Sequence, residues 1–477
     1  MVKSGYVLAG FETLTSIIGN FVLGLRERFN DNFTPQDISK FLSSTCSGFL
    51  HSYGQNFPNK KKYDKYNANE ALMYKRCRDM GIFDNCTFIV DSGGFQISTG
   101  QLSRVESDLL YHKYYEFLEE YSSVYNLAFI LDVPPGPGCE IFKDFKDVYD
   151  LNLESYQRAK NLPEEIRKKI IYVHHFRTPM LWDIYTRIMR DHDMFNSFEY
   201  HGTGGIVANM ASDMSIPCII YVLPLIPLIN ECKKFGRKYL NFHILGGANF
   251  RDVMFYELFK ECIKDVHDID LNITYDSSSP YKQVMHARFV YSKDNFGNIR
   301  KLNIKSKNLD YRFSMNYKNV SVETELQNML NNLADKWGWK RIDVDGVYGM
   351  YADRSGDMVQ TFHPDVKAYA TLYSLNLYSE IQEDMRKVAK DIYELYKADD
   401  IYALSEKCSY VTRFLNQGNL SKKQGVKSTS IANSLTMLKN LDEDYCKYII
   451  TKSLSKDEFK DLNEKTKVDL FNGDGIL

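Results

Sequence analysis

Asp91 closes an apolar run, Phe88-Ile89-Val90, and hands the chain straight to Ser92-Gly93-Gly94-Phe95-Gln96. The same pattern recurs twice. Leu127 to Leu131 leads to Asp132 and then Val133-Pro134-Pro135, and Leu271 to Tyr275 leads to Asp276 and then Ser277-Ser278-Ser279-Pro280. Each run predicts a buried strand that delivers a carboxylate at its C-terminal end, so three acids are expected at one shared mouth. Paired carboxylates at such a mouth suit two tasks: moving a proton on or off a leaving group, and attacking an electron-poor carbon. The anomeric carbon of a sugar calls for both, and a bare pair fits glycoside hydrolysis. The glycine pairs Gly93-Gly94, Gly204-Gly205 and Gly246-Gly247 point instead to a flatter ligand. They let backbone donors and acceptors approach the edge of a purine, with Phe95 placed to stack on its face.

Each of these residues also has an ordinary structural reading. An Asp after a strand can cap a helix or form a turn, glycine pairs are common at strand ends, and Phe95 and Leu245 can be core residues. His174-His175 invites a metal, but neighbours on a strand point to opposite faces and cannot both hold one ion. One of the two, His175, is expected to face the pocket. The nine cysteines are scattered and never at the short gaps of a zinc knuckle, so they read as reduced core thiols, with no metal site.

Apolar and polar segments alternate along the chain in a way that positions these residues. Helices are expected over Glu106 to Tyr125, Asp147 to Ala159 and Pro163 to Lys169, from Pro179 onward, and from Phe250 to His267 with Asn249 as its cap. Between them lie strands ending at Asp132, at Val173, at Leu245 and at Asp276, while Gly202 to Ile206 reads as a turn. Strand-helix alternation with polar or glycine residues at the strand ends is the pattern of a parallel α/β sheet. A doubly wound open sheet fits the periodicity almost as well, and length favours a closed (β/α)8 barrel. Beyond about residue 300 the texture becomes mostly helical, over Val320 to Trp337 and Pro364 to Tyr396. A Lys/Ser/Asn-rich break at Gln417 to Ser430 precedes a last helical stretch. Two units are therefore expected: a barrel over 1–300 and a mostly helical C-terminal region over 301–477.

The 477 residues carry 60 basic and 62 acidic side chains, a net charge of -2, so the molecule as a whole has no electrostatic pull on a polyanion. Any nucleic-acid contact must be local, and Lys60 to Lys65, Lys233 to Lys238 and Lys301 to Lys307 are the clusters that offer it. The N-terminal apolar run is broken by Glu12 and Asn20, and Ile216 to Ile229 is too short and proline-rich to span a bilayer. The expectation is a soluble cytoplasmic protein without membrane association.

Asp91-Ser92-Gly93-Gly94-Phe95-Gln96 resembles the signature hexapeptide of the queuine and archaeosine tRNA-guanine transglycosylases. Further blocks follow in that family's order: Leu131-Asp132 with Pro134-Pro135, Val173-His174-His175, Gly204-Gly205-Ile206, Leu245-Gly246-Gly247, and Tyr275-Asp276 before Pro280. The resemblance covers about residues 85–290, and more faintly the helix near Leu375 to Ile392. It implies an irregular TIM barrel and the exchange of a guanine base for a 7-deazaguanine with the nucleic-acid backbone intact. It also implies roles: Asp276 as nucleophile, Asp91 as general acid/base, and Asp132 as acceptor for the purine's ring N–H and exocyclic amine. Phe95 and Leu245 would sandwich the ring and Gly205 would offer its N–H to the base carbonyl, with Ser92, Gln96, His175, Gly204, Ile206 and Gly246 as further substrate contacts.

The chain departs from the family at several positions. His175-Phe176 stands for the usual Gln-Gly, Val133 for a Glu and Lys282 for an Arg, and the cysteine-rich zinc motif is absent. Together with the divergent C-terminal region, these departures are similar to the branch, encoded by some bacteria and bacteriophages, that inserts 7-deazaguanines into DNA. DNA is thus the expected partner and tRNA the alternative, with a free 7-deazaguanine base as co-substrate, a homodimer as the oligomer to consider, and no cofactor. For a phage enzyme, the host cytoplasm would be its compartment. A non-catalytic partner subunit and a glycoside hydrolase are the competing readings, the first opposed by retention of both Asp91 and Asp276.

Overall fold

The computed structural model describes residues 4–9, 35–56, 86–98, 104–132, 145–176, 179–204, 219–277, 289–293, 299–303, 322–339, 348–352, 358–362, 364–417 and 425–453, and positions 79, 81, 102, 280, 283, 284 and 341. Eight parallel strands close into a barrel in chain order: β1 Gly5–Ala9, β2 Gly48–Ser52, β3 Thr87–Asp91, β4 Leu127–Phe129, β5 Ile170–His174, β6 Tyr200–Thr203, β7 Tyr239–Ile244 and β8 Asp270–Ser277. Closure comes from β8 pairing with β1, Val7 opposite Asp276. The chain is thus an α/β protein built on an irregular TIM barrel with a helical C-terminal region. Closed barrels bury both strand faces, which is why β5 reads Ile-Ile-Tyr-Val-His and is buried throughout.

Most of the sequence expectations for the barrel hold in outline. Helices occupy Arg104–Glu120, Phe145–Lys160, Glu164–Arg167, Pro179–Asp191 and Phe250–His267. Differences appear where propensity and tertiary structure compete. Gly202 belongs to β6 rather than to a turn, because the backbone must approach Ile171 and the His243 carbonyl, where an added Cβ would lie 3.1 and 3.0 Å away. β4 ends at Phe129, three residues before Asp132. Asn249 stands at the N-cap of Phe250–His267, yet its side chain donates to Asp252 Oδ2 (3.1 Å) rather than capping the backbone. A hairpin of β9 Phe289–Lys293 with β10 Ile299–Asn303 lies at the boundary near residue 300, and a second, β11 Tyr348–Ala352 with β12 Met358–Phe362, interrupts the region read as mostly helical. The apolar stretch from Ile216 resolves into the helices Ile219–Val222 and Leu225–Lys234, and no helix among the described residues is long and apolar enough to cross a membrane.

The C-terminal region packs directly on the barrel. The long Pro364–Lys397 helix lies along Phe250–His267 and also touches Pro35–Thr45, so it covers the β8–β1 seam. Tyr378, Ile381, Met385, Ala389 and Ile392 fall at three- and four-residue spacing and are buried there. Behind β8, Arg386 Nη2 donates to the Tyr275 hydroxyl (3.1 Å), tying this helix to the strand that carries Asp276. Trp337 and Trp339 pack on Phe41 of the Pro35–Thr45 helix, each with ring centres 5.1 Å apart. The last helix, Glu443–Ser453, docks through a two-toothed contact: Arg190 donates to both carboxylate oxygens of Glu443 (2.7 and 3.0 Å) and to Glu231 (2.6 Å).

Candidate active site

Period two in extended chain decides which side chains enter the barrel, and at the end of β5 it separates His174, its last residue, from His175 just after it. His174 turns outward against Trp182 and Thr186, and burial pushes its imidazole down to about 3. His175 turns inward. Its Nε2 lies 2.5 Å from Asp132 Oδ2, and its ring is pressed against Gly204, where an added Cβ would sit 2.7 Å from Cε1. Asp132 is thereby held at the mouth although its strand has already ended.

Asp91 is the last residue of β3, opposite Ser52 of β2, and the Ser52 hydroxyl donates to its Oδ2 at 2.6 Å. Burial pushes the Asp91 carboxyl up to about 6; the Ser52 hydrogen bond opposes this, while the negative charges of Asp132 and Asp276 add to it. Asp132 and Asp276 therefore lie close enough to Asp91, at the same end of the barrel, for their charges to act on it. Glycine makes the crowding feasible. Gly93 has φ +93°, and a Cβ on Gly94 would lie 2.0 Å from the Asp132 carbonyl oxygen, so the turn after β3 and the exit of β4 touch backbone to backbone.

Asp276, near the end of β8, is buried at 8% exposure, and its Oδ1 receives the Gly246 N–H (2.7 Å) and faces His243 Nε2 (3.3 Å). Gly246 has φ +76°, a conformation that aims its N–H at the carboxylate. His243 in turn meets Thr274 Oγ1 through Nδ1 (2.8 Å) and is packed edge-on by Phe129 (4.9 Å between ring centres).

Of the residues singled out in the sequence, Asp91, Asp132, Asp276, His175, Gly204 and Gly246 meet at this mouth. Ser92 is fully buried, and its hydroxyl receives the Gly94 N–H at 3.4 Å. Gln96 is half-buried in the short helix Gly94–Ser98, and Leu245 is partly buried with its N–H on the Thr203 carbonyl. The Phe95 side chain, Gly205, Ile206, Val133 and Lys282 lie outside the described residues, as do Lys60 to Lys65, Lys305 and Lys307. Lys233 to Lys238 precede β7 and so sit at the opposite end of the barrel from the acids, where Lys238 pairs with Asp268 at 3.0 Å.

Ser52 and His243 escaped the sequence reading. For His243 a signal existed: in the strand expected to end at Leu245 it lies two residues before that residue and therefore on the same face. For Ser52 there was none, since β2 went unrecognised. Among the described residues no group of three or more His, Cys, Asp or Glu could hold a metal ion. No protein-family model matches the chain, and no curated protein matches it.

Proposed function

We propose that the protein is a base-exchange transglycosylase that replaces guanine in DNA with a 7-deazaguanine derivative through a covalent glycosyl-enzyme. The observation that carries this reading is the meeting of three differently held carboxylates at the C-terminal mouth of a closed parallel barrel: Asp91 raised to about 6, Asp132 bound to His175, and Asp276 held by Gly246. The resemblance of the Asp91 to Gln96 hexapeptide to the guanine transglycosylases assigns the roles. A carboxylate oxygen of Asp276 attacks C1′ as the bond from C1′ to the purine nitrogen breaks. The electron pair of that bond goes to the departing guanine, which takes a proton from Asp91. In the second half the incoming base gives its proton to Asp91, attacks C1′ and displaces Asp276. No net oxidation or hydrolysis occurs, so no further reactant is needed. Asp132 serves as acceptor for the donor edge of the base, a pairing that disfavours purines lacking those donors.

Purified protein is incubated with single-stranded DNA, duplex DNA or tRNA containing labelled guanine, plus a 7-deazaguanine base. Release of label from DNA, with a DNA–protein adduct that survives denaturation, is the expected result. Release from tRNA alone would move the substrate to RNA, and sugar release from oligosaccharides without either would leave a glycoside hydrolase. Asp276→Asn is expected to lower exchange by on the order of 10⁴-fold and to abolish the adduct.

A further inference from the structure

The inward face of the seam between β7 and β8 is polar over much of its height. Asn241 stands opposite Asn272 and His243 opposite Thr274 in the strand register, with Asp276 two residues further along β8. The successive rungs are hydrogen-bonded: Asn272 Nδ2 donates to Asn241 Oδ1 (3.0 Å), His243 Nδ1 meets Thr274 Oγ1 (2.8 Å), and His243 Nε2 faces Asp276 Oδ1 (3.3 Å). His243 is only 2% exposed and Thr274 6%. Buried polar groups at these positions cost stability that apolar residues would not.

We infer that His243 is a positioning residue for Asp276, held in plane by Thr274, and that it selects Oδ2 of Asp276 as the attacking oxygen. This rests on the transglycosylase reading for its kinetic meaning. A carboxylate only accepts, so the contact requires the ring to donate from Nε2. The Thr274 hydroxyl can donate to Nδ1 or accept from it, so it holds the ring in either charge state. Gly246 N–H and His243 both reach Oδ1, and among the described residues no hydrogen bond reaches Oδ2. An oxygen that carries two donors is the poorer nucleophile, and Oδ2 keeps its electron pairs for the anomeric carbon. The edge of Phe129 against the imidazole prevents the ring from swinging off this line.

The test compares wild type with His243→Leu, His243→Gln, Thr274→Val and Thr274→Ser. Single-turnover formation of the glycosyl-enzyme is measured together with histidine ¹⁵N spectra of the full chain. His243→Leu is expected to lower kcat by about 10²-fold, the scale of losing one preorganised donor, with KM within about twofold. His243→Gln, whose amide nitrogen reaches the Nε2 position, recovers most of that loss, and Thr274→Ser outperforms Thr274→Val. Equal losses in all four variants, or a change confined to KM, overturn the proposal. The spectra separate it from the functional reading: the His243 Nε2 signal should shift in Asp276→Asn whether or not exchange is detected. If wild type exchanges no base, the functional reading fails, and if the signal is insensitive to Asp276→Asn, the positioning role fails.

Discussion

At the scale of single residues, the proton held by Asp91 links chemistry to pH. Its carboxyl is raised from 3.8 to about 6, chiefly by burial and then by the neighbouring charges of Asp132 and Asp276. Under the proposed base exchange, loss of guanine needs protonated Asp91 and should slow as pH rises through about 6, whereas capture of the incoming base needs the carboxylate and should speed up over the same range. Separate pH profiles of the two half-reactions check this. Ser52→Ala removes the hydrogen bond that opposes the shift, so both midpoints should move to higher pH. The same linkage has a sign for stability. The folded chain binds this proton more tightly than the unfolded chain, so stability falls as pH rises from about 4 to about 6 and stays lower above that window. Asp91→Asn should therefore gain on the order of 2 kcal/mol in urea unfolding at pH 7.5 and almost nothing at pH 4.

At the scale of elements, the site depends on strand exits that touch through backbone. The Gly94 position allows β3's turn to meet the Asp132 carbonyl, and a methyl group there would have to displace backbone rather than a flexible side chain. Gly94→Ala is expected to cost about 1–3 kcal/mol, the usual scale of overpacking. Because the displaced segment carries Asp132, it should also relax the choice of base if Asp132 reads the base as proposed. Thermal unfolding and competition between guanine and other purines measure the two effects. Asp91 to Gln96 was legible in the sequence because its chemistry is local. Ser52 was not, because a serine on an unrecognised strand looks like any other serine until the register places it opposite Asp91.

At the scale of the whole molecule, the C-terminal third packs directly on the barrel. Pro364–Lys397 covers the seam beside the Asp276 strand, and Glu443 anchors the final helix to Arg190 and Asn230. Burial alone would raise the Glu443 carboxyl, but the Arg190 and Asn230 hydrogen bonds outweigh it and hold the group below the usual glutamate range. The stabilisation is thus complete above that usual range and is lost as pH falls through the lowered value. Glu443→Gln should cost about 1–3 kcal/mol at neutral pH and flatten the acid-side stability loss. Chemical denaturation of both proteins across pH 3 to 7 would show it, and identical curves would refute the anchoring role. His174 and His201, pushed down to about 3 by burial, steepen the same acid limb because the unfolded chain binds their protons more readily.

The sequence by itself determined the alternation of strands and helices, the three strands tipped with acid, the opposite facings of His174 and His175, and the helical character of much of the C-terminal third. Those features follow from periods of two and 3.6 residues and from turn chemistry, all of which act within a few residues. Only the tertiary structure decided that the sheet closes, that a helix from 364–397 lies over the closing seam, that His175 holds Asp132, and that His243 and Gly246 hold Asp276. These depend on which residues face each other across strands tens of positions apart, and that register is set by packing of the whole barrel rather than by any local pattern.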